Sequence, residues 1–252
     1  MTLPPYLDAD GRLIPGAEVP NSWERYKWLT DDGDNVMCGL LPRELPCGAL
    51  VPEWFETGED VPPLPKSEWA STPDMRPYEW NNRYQNGYPS CALNATCGTA
   101  EFIMARDGRA KVPLDWHKYW IETTGGRGGC AIDRALQHAM QKGIPIKDTS
   151  DRLFITEAWD VNTLDEFAVG LQRGAMAVGC HDVHAECVVG LTMEGSTPYV
   201  QMVNSHYYGD NANKNWHMFR LDRIELRSYG AMLIREVEIR SADLTGLVDA
   251  KG

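Results

Sequence analysis

The chain has 252 residues, 43% hydrophobic and 24% charged, with a net charge of −12 and a pI near 4.9. That is enough for one substantial core, and so acidic a balance excludes the basic face that nucleic-acid binding needs and repels anionic membranes. No run approaches the ~18 apolar residues of a membrane span, and the opening Met-Thr-Leu-Pro-Pro-Tyr lacks the basic and apolar regions of a secretory signal, so a location in the cytoplasm of the producing cell, or in a virion, is expected.

Composition changes near residue 80. Twelve of the sixteen prolines precede it, with five of the nine tryptophans. Pro-Pro-Tyr, Pro-Pro-Leu-Pro and Thr-Pro-Asp break helices and central strands, while Trp23, Trp28, Trp54, Phe55, Trp69 and Trp80 require burial. Residues 1–80 therefore read as an extended arm that wraps over a surface, its own or a partner's. Residues 81–252 read as a compact α+β domain.

Within that domain, Cys91 to Arg106 is apolar almost all round, which predicts a central buried helix ended by Asp107-Gly108. Trp116 to Thr123 reads as a short helix. The glycines at 125–129 lack the Lys-Ser/Thr of a phosphate loop and read as a turn. Ile132, Leu136, Ala139 and Met140 form a helical stripe closed by Gly143 and Pro145. Thr163-Leu164-Asp165-Glu166 is a capping box for a helix stopping at Gly174. The period then becomes that of strands at 175–179, 184–193, 199–204, 216–220 and 231–239. Helices first and strands afterwards place a site between the two halves.

Seven cysteines are an odd number, so at least one thiol is unpaired, and with no export signal they are expected to be reduced core residues. Cys91 stands apart because it opens the buried helix. There it meets unpaired N–H groups and the positive end of the helix dipole, which with an imidazolium nearby bring a thiol from about 8.5 into roughly the 3.5–7.5 range. Gln85 precedes it, with Gly87 and Pro89 shaping a tight loop between. His184 begins a strand whose alternation places His184, Glu186 and Val188 on one face and Ala185, Cys187 and Val189 on the other. Asn204 ends the next strand; antiparallel pairing through the turn near Gly195 brings it beside His184. Thiol nucleophile, proton-carrying imidazole, orienting amide and oxyanion-holding amide are the four parts of thiol acyl transfer.

Cys180, His181, Asp182, His184, Glu186 and Cys187 also invite a metal reading. Alternation divides them between two faces and no Cys-x-x-Cys pair completes a tetrahedral site, so neither metal nor cofactor is expected. Asp182 and Glu186 read as cleft-shaping or solvated carboxylates.

From about Gln85 to Ile239 the chain resembles the papain-like (C1-type) cysteine peptidases. Gln85 falls at the family's oxyanion glutamine and Cys91 at its nucleophile. Val183-His184-Ala185 is similar to its His-Ala strand, and Asn204-Ser205 to its Asn-Ser-Trp-Gly. Gly125 to Pro145 resembles the glycine turn and helix of bacterial and viral members. The chain departs at Tyr88-Pro89-Ser90-Cys91-Ala92, which lacks the upstream cysteine and the tryptophan after the nucleophile, and at Asn204-Ser205-His206-Tyr207, which lacks the tryptophan there. The resemblance implies a nucleophile-bearing helix against an antiparallel sheet or barrel lobe, and a peptide or protein substrate. The rival expectation is a papain-fold assembly subunit of a large particle such as a phage virion, docked through residues 1–80.

Overall fold

The computed structural model describes residues 40–43, 64–79, 85–161, 163–181, 184–205, 215–226 and 229–241, plus the backbone of two short strands. Those strands, β1 (Lys27–Leu29) and β2 (Asn35–Met37), pair antiparallel. The remainder of the arm, Asp182, Val183 and residues 206–208 lie outside the described residues.

Among the described residues four α-helices fall between Cys91 and Gln172. Helix α1 (Cys91–Arg106) is buried from Cys91 to Met104. It crosses the middle of the core, so only its last turn meets water, and its sequence accordingly has no polar face. Two of its hydroxyls are satisfied locally or against the sheet: Thr96 Oγ1 donates to the Ala92 carbonyl, and Thr99 Oγ1 to that of Ala177 at 3.0 Å. Helix α2 (Trp116–Thr124) is capped by the Asp115 carboxylate and closed by Gly125 at φ +73°. Helix α3 (Ile132–Gln141) follows the glycine turn. Helix α4 (Leu164–Gln172) starts at the full Thr163/Glu166 capping box, a device that contributes about 1 kcal/mol.

Seven strands form one sheet: β3 (Ile144–Pro145), β4 (Arg152–Asp160), β5 (Met176–His181), β6 (His184–Glu194), β7 (Thr197–Val203), β8 (Trp216–Arg220) and β9 (Met232–Arg240). The order is β3-β4-β9-β5-β6-β7-β8, every pair antiparallel. Strand β4 departs from the expected succession of helices then strands, since it stands between α3 and α4. Its burial does not alternate and its register against β9 shifts twice near Glu157, which hides the two-residue period.

Two cores sandwich the sheet. Cys91, Ala95, Phe102 and Ile103 of α1 share one with Ala185, Cys187 and Val189 of β6. Phe167 and Leu171 of α4 share the other with Val188, Leu191, Val200 and Met202. As far as Val189 the β6 side chains divide between faces as their alternation requires; past the register shift at Val188/Gly190, Leu191 joins the second core. The five described cysteines, 91, 97, 130, 180 and 187, are all buried.

Residues 64–79 of the arm dock on this same domain. Trp69 is buried in the second core, and its indole N–H donates to the Leu64 carbonyl. The Thr72 N–H donates to the Leu191 carbonyl at 2.8 Å, the Leu191 N–H returns to Thr72 Oγ1, and the Met193 N–H reaches Ser71 Oγ. Contact this close requires Gly190 beside a register shift in β6, because a Cβ there would run into Thr72 Oγ1.

Candidate active site

The loop before α1 is built from two left-handed residues, Asn86 (φ 51°) and Gly87 (φ 75°). This tight turn folds Gln85 back beneath the helix start. The Gln85 side-chain N–H donates to the Tyr88 carbonyl at 2.9 Å, and the Tyr88 and Ser90 backbone N–H groups close the loop onto the Gln85 and Tyr88 carbonyls. Tyr88 itself is packed edge-on against Trp116, His117 and Trp120 of α2. Cys91 thereby becomes the first residue of α1, where the helix N–H groups and dipole favour negative charge.

Strands β6 and β7 form the hairpin that the sequence predicts, with Cys187 opposite Val203. The pairing brings His184 and Asn204 together: His184 Nε2 lies 2.8 Å from Asn204 Oδ1. That oxygen can only accept, and it also receives the Ser205 N–H at 2.6 Å, so Nε2 carries a proton and donates. Nδ1 is then the ring nitrogen that can accept a proton. The Asn204 N–H is fixed in turn to the Asn215 carbonyl.

Ser205 links the two halves of the constellation. Its hydroxyl donates to Gln85 Oε1 at 2.9 Å, and its carbonyl accepts the Gln85 N–H at the same distance. The Gln85 amide is thus oriented, oxygen to Ser205 and nitrogen toward the Cys91 loop. Gln85, Cys91 and His184 have no exposed surface, and Asn204 and Ser205 are nearly as buried. Sequence reasoning gave Ser205 no role; only its place after Asn204 marked it.

Glu186 is not solvated. It is 1% exposed, with one carboxylate oxygen 3.8 Å from His184 Nε2 and the other 3.0 Å from Nε2 of His217, on β8. A cavity of about 20 Å³ lies behind Asn204 between α1 and β6, lined by Asn94, Glu101, Ala185 and Cys187 among others. Among the described residues no three His, Cys, Asp or Glu side chains converge as a metal site, and no helix is long and apolar enough to cross a membrane.

No family model matches the chain, and no curated protein matches it by sequence. Solved structures do match. Procathepsin L2 from the larval midgut of Tenebrio molitor superposes with a TM-score of 0.57 at 14% identity, over 86% of this chain and 81% of that one. Procathepsin L 3 from the same tissue gives 0.54 at 15% identity, over 71% and 72%. The clostridial cysteine protease Cwp84 gives 0.57 at 12% identity, over 69% of this chain and 59% of its own. Strand order, helix placement and these superpositions agree on the architecture: this chain has the fold of the papain-like cysteine proteases.

Proposed function

We propose that the chain is a papain-like cysteine peptidase that cleaves peptide or protein amide bonds through a thioester. The observation that carries this reading is the continuous set of hydrogen bonds from Gln85 through Ser205 and Asn204 to His184, closing on the loop that delivers Cys91. A merely structural cysteine at a helix start needs none of it.

In this reading His184 Nδ1 takes the Cys91 proton, and the thiolate attacks the substrate carbonyl. The oxyanion receives the Cys91 backbone N–H and a Gln85 side-chain N–H; one such donor is typically worth a hundred- to a thousandfold in rate. The imidazolium protonates the leaving amine, which departs as the thioester forms. The ring then activates water, whose attack releases the acid and restores the thiol. Asn204 holds the ring without adding charge, which leaves its tautomer fixed through both half-reactions.

One observation favours a second reading, a papain-fold assembly subunit held in a larger particle through its arm. Gln85, Cys91 and His184 are fully enclosed, so substrate reaches them only after some covering segment moves. A fluorogenic peptide-amide panel separates the two. The peptidase reading expects turnover that Cys91→Ala abolishes and His184→Ala reduces by at least a thousandfold. Hydrolysis unchanged in Cys91→Ala, or no turnover by the intact chain on peptides or unfolded protein, overturns it in favour of the subunit.

A further inference from the structure

Neither the chemistry proposed for Cys91, His184, Asn204 and Gln85 nor the sequence resemblance gives any task to the buried carboxylate of Glu186 beside the histidine. We propose that Glu186 is a positioning residue for His184, a buried anion held by His217 and set against the Nε2 side of the ring so that it favours the ring's charged form. The inference rests on the peptidase reading above and deepens it.

The geometry supplies the argument. The side chains of His184 and Glu186 have no exposure, while that of His217 is 30% exposed. At 3.8 Å from Nε2 the carboxylate is too far to hydrogen-bond and does not compete with Asn204, which accepts the Nε2 proton at 2.8 Å. It acts through charge instead. An opposite charge within about 4–6 Å of a titrating group favours the charged state, most strongly where water is excluded. A lone carboxylate in this place would itself be expensive to bury. His217, 3.0 Å from its second oxygen, makes it tenable and connects it to solvent. Gly179 stands opposite Glu186 in the β5–β6 register. A Cβ at Gly179 would touch Val188, Phe167 and Ile224, so this face is otherwise apolar.

His181 of β5 stands opposite His184 in register, Cys91 and Glu101 belong to α1, and Glu225 bonds through its backbone N–H to Cys180 of β5. Glu101 lines the cavity with Ala185 and Cys187, on the other face of β6 from Glu186. Among the described residues, Glu186 is an acid set beside the ring.

The test is a ring-nitrogen NMR titration of ¹⁵N-histidine-labelled full-length protein, with His184 and His217 assigned from single His→Ala variants. In Glu186→Gln, which keeps shape and removes charge, the His184 ring-nitrogen signals are expected to change with pH differently from those of the wild type, moving toward lower pH. His217→Gln is expected to move them part of the way, with circular dichroism unchanged in both. Cys91→Ala provides the separate control, since a thiolate partner also holds the ring charged. Such a shift in Cys91→Ala with none in Glu186→Gln overturns the role of Glu186 and leaves the peptidase reading intact. A shift in Glu186→Gln with none in Cys91→Ala supports Glu186 as the ring's charge partner and removes the Cys91–His184 pair. No movement in either variant overturns both.

Discussion

The hydroxyl of Ser205 donates to the side-chain oxygen of Gln85 at 2.9 Å, across 120 residues of sequence. Through this bond the strand that ends in Asn204 sets the direction of an amide in the loop that begins α1. The two halves of the site are therefore not independently positioned.

Ser205→Ala leaves the buried Gln85 oxygen without this donor and lets the amide rotate. The expected result is roughly a tenfold loss in kcat with little change in KM, and about 1–2 kcal/mol of stability. Steady-state kinetics with urea denaturation checks both. In a double mutant with Gln85→Ala the rate losses are expected to be non-additive, because the serine acts through the glutamine.

Gly87 adopts φ 75°, where a side chain costs about 1–2 kcal/mol. Gly87→Ala is expected to lower the melting temperature and to reduce kcat more than its stability cost explains, since the same turn carries Gln85 and Cys91. Equal activity per folded molecule in mutant and wild type would remove the turn from the catalytic argument.

Docking of the arm is tested at Gly190. Gly190→Val forces Thr72 away from β6 and is expected to cost about 1–3 kcal/mol and to expose Trp69, seen as a red shift in tryptophan fluorescence. Removing residues 1–63 leaves these contacts in place and is expected to keep the Trp69 signal. Removing residues 1–75 is expected to lose it and to destabilise the domain.

Acid sensitivity follows from two histidines. Burial among Tyr88, Trp116 and Trp120 pushes His117 below its ordinary value of 6.5, with Asp115 opposing. Burial also lowers His138, against the pull of Glu122. A folded-state value below the unfolded one means that the unfolded chain takes up the proton first. This contribution to stability is complete above pH 6.5 and is lost as pH falls through the window below it. Urea midpoints at about pH 7.5 and 5.5 are expected to show the drop, and His117→Phe to lessen it. An identical drop in the variant would assign it elsewhere.

Much of the candidate site's arrangement was legible because it is tied to local signals. Cys91 opens an apolar helix, Gly87 marks the turn before it, and a Gly195 turn makes antiparallel neighbours of His184 and Asn204. The capping box at Thr163 was likewise a local signal, and all four helices stand where their patterns predict. What sequence did not disclose was set by tertiary contact. Strand β4 lost its period to bulges and to burial on both faces. Glu186 looks like any strand carboxylate until β8 brings His217 to it. Ser205 needs the arm-side loop to arrive before it has anything to orient.

The central claim is that Cys91 is a thiolate paired with the ring of His184. Competitive alkylation by iodoacetamide at mildly acidic pH, read by peptide mapping, tests it most directly. Cys91 is expected to react at least tenfold faster than Cys97, Cys130, Cys180 and Cys187, which are equally buried thiols, and to lose that lead in His184→Ala. Uniform slow labelling of all five, or a Cys91 lead that persists in His184→Ala, would contradict the account.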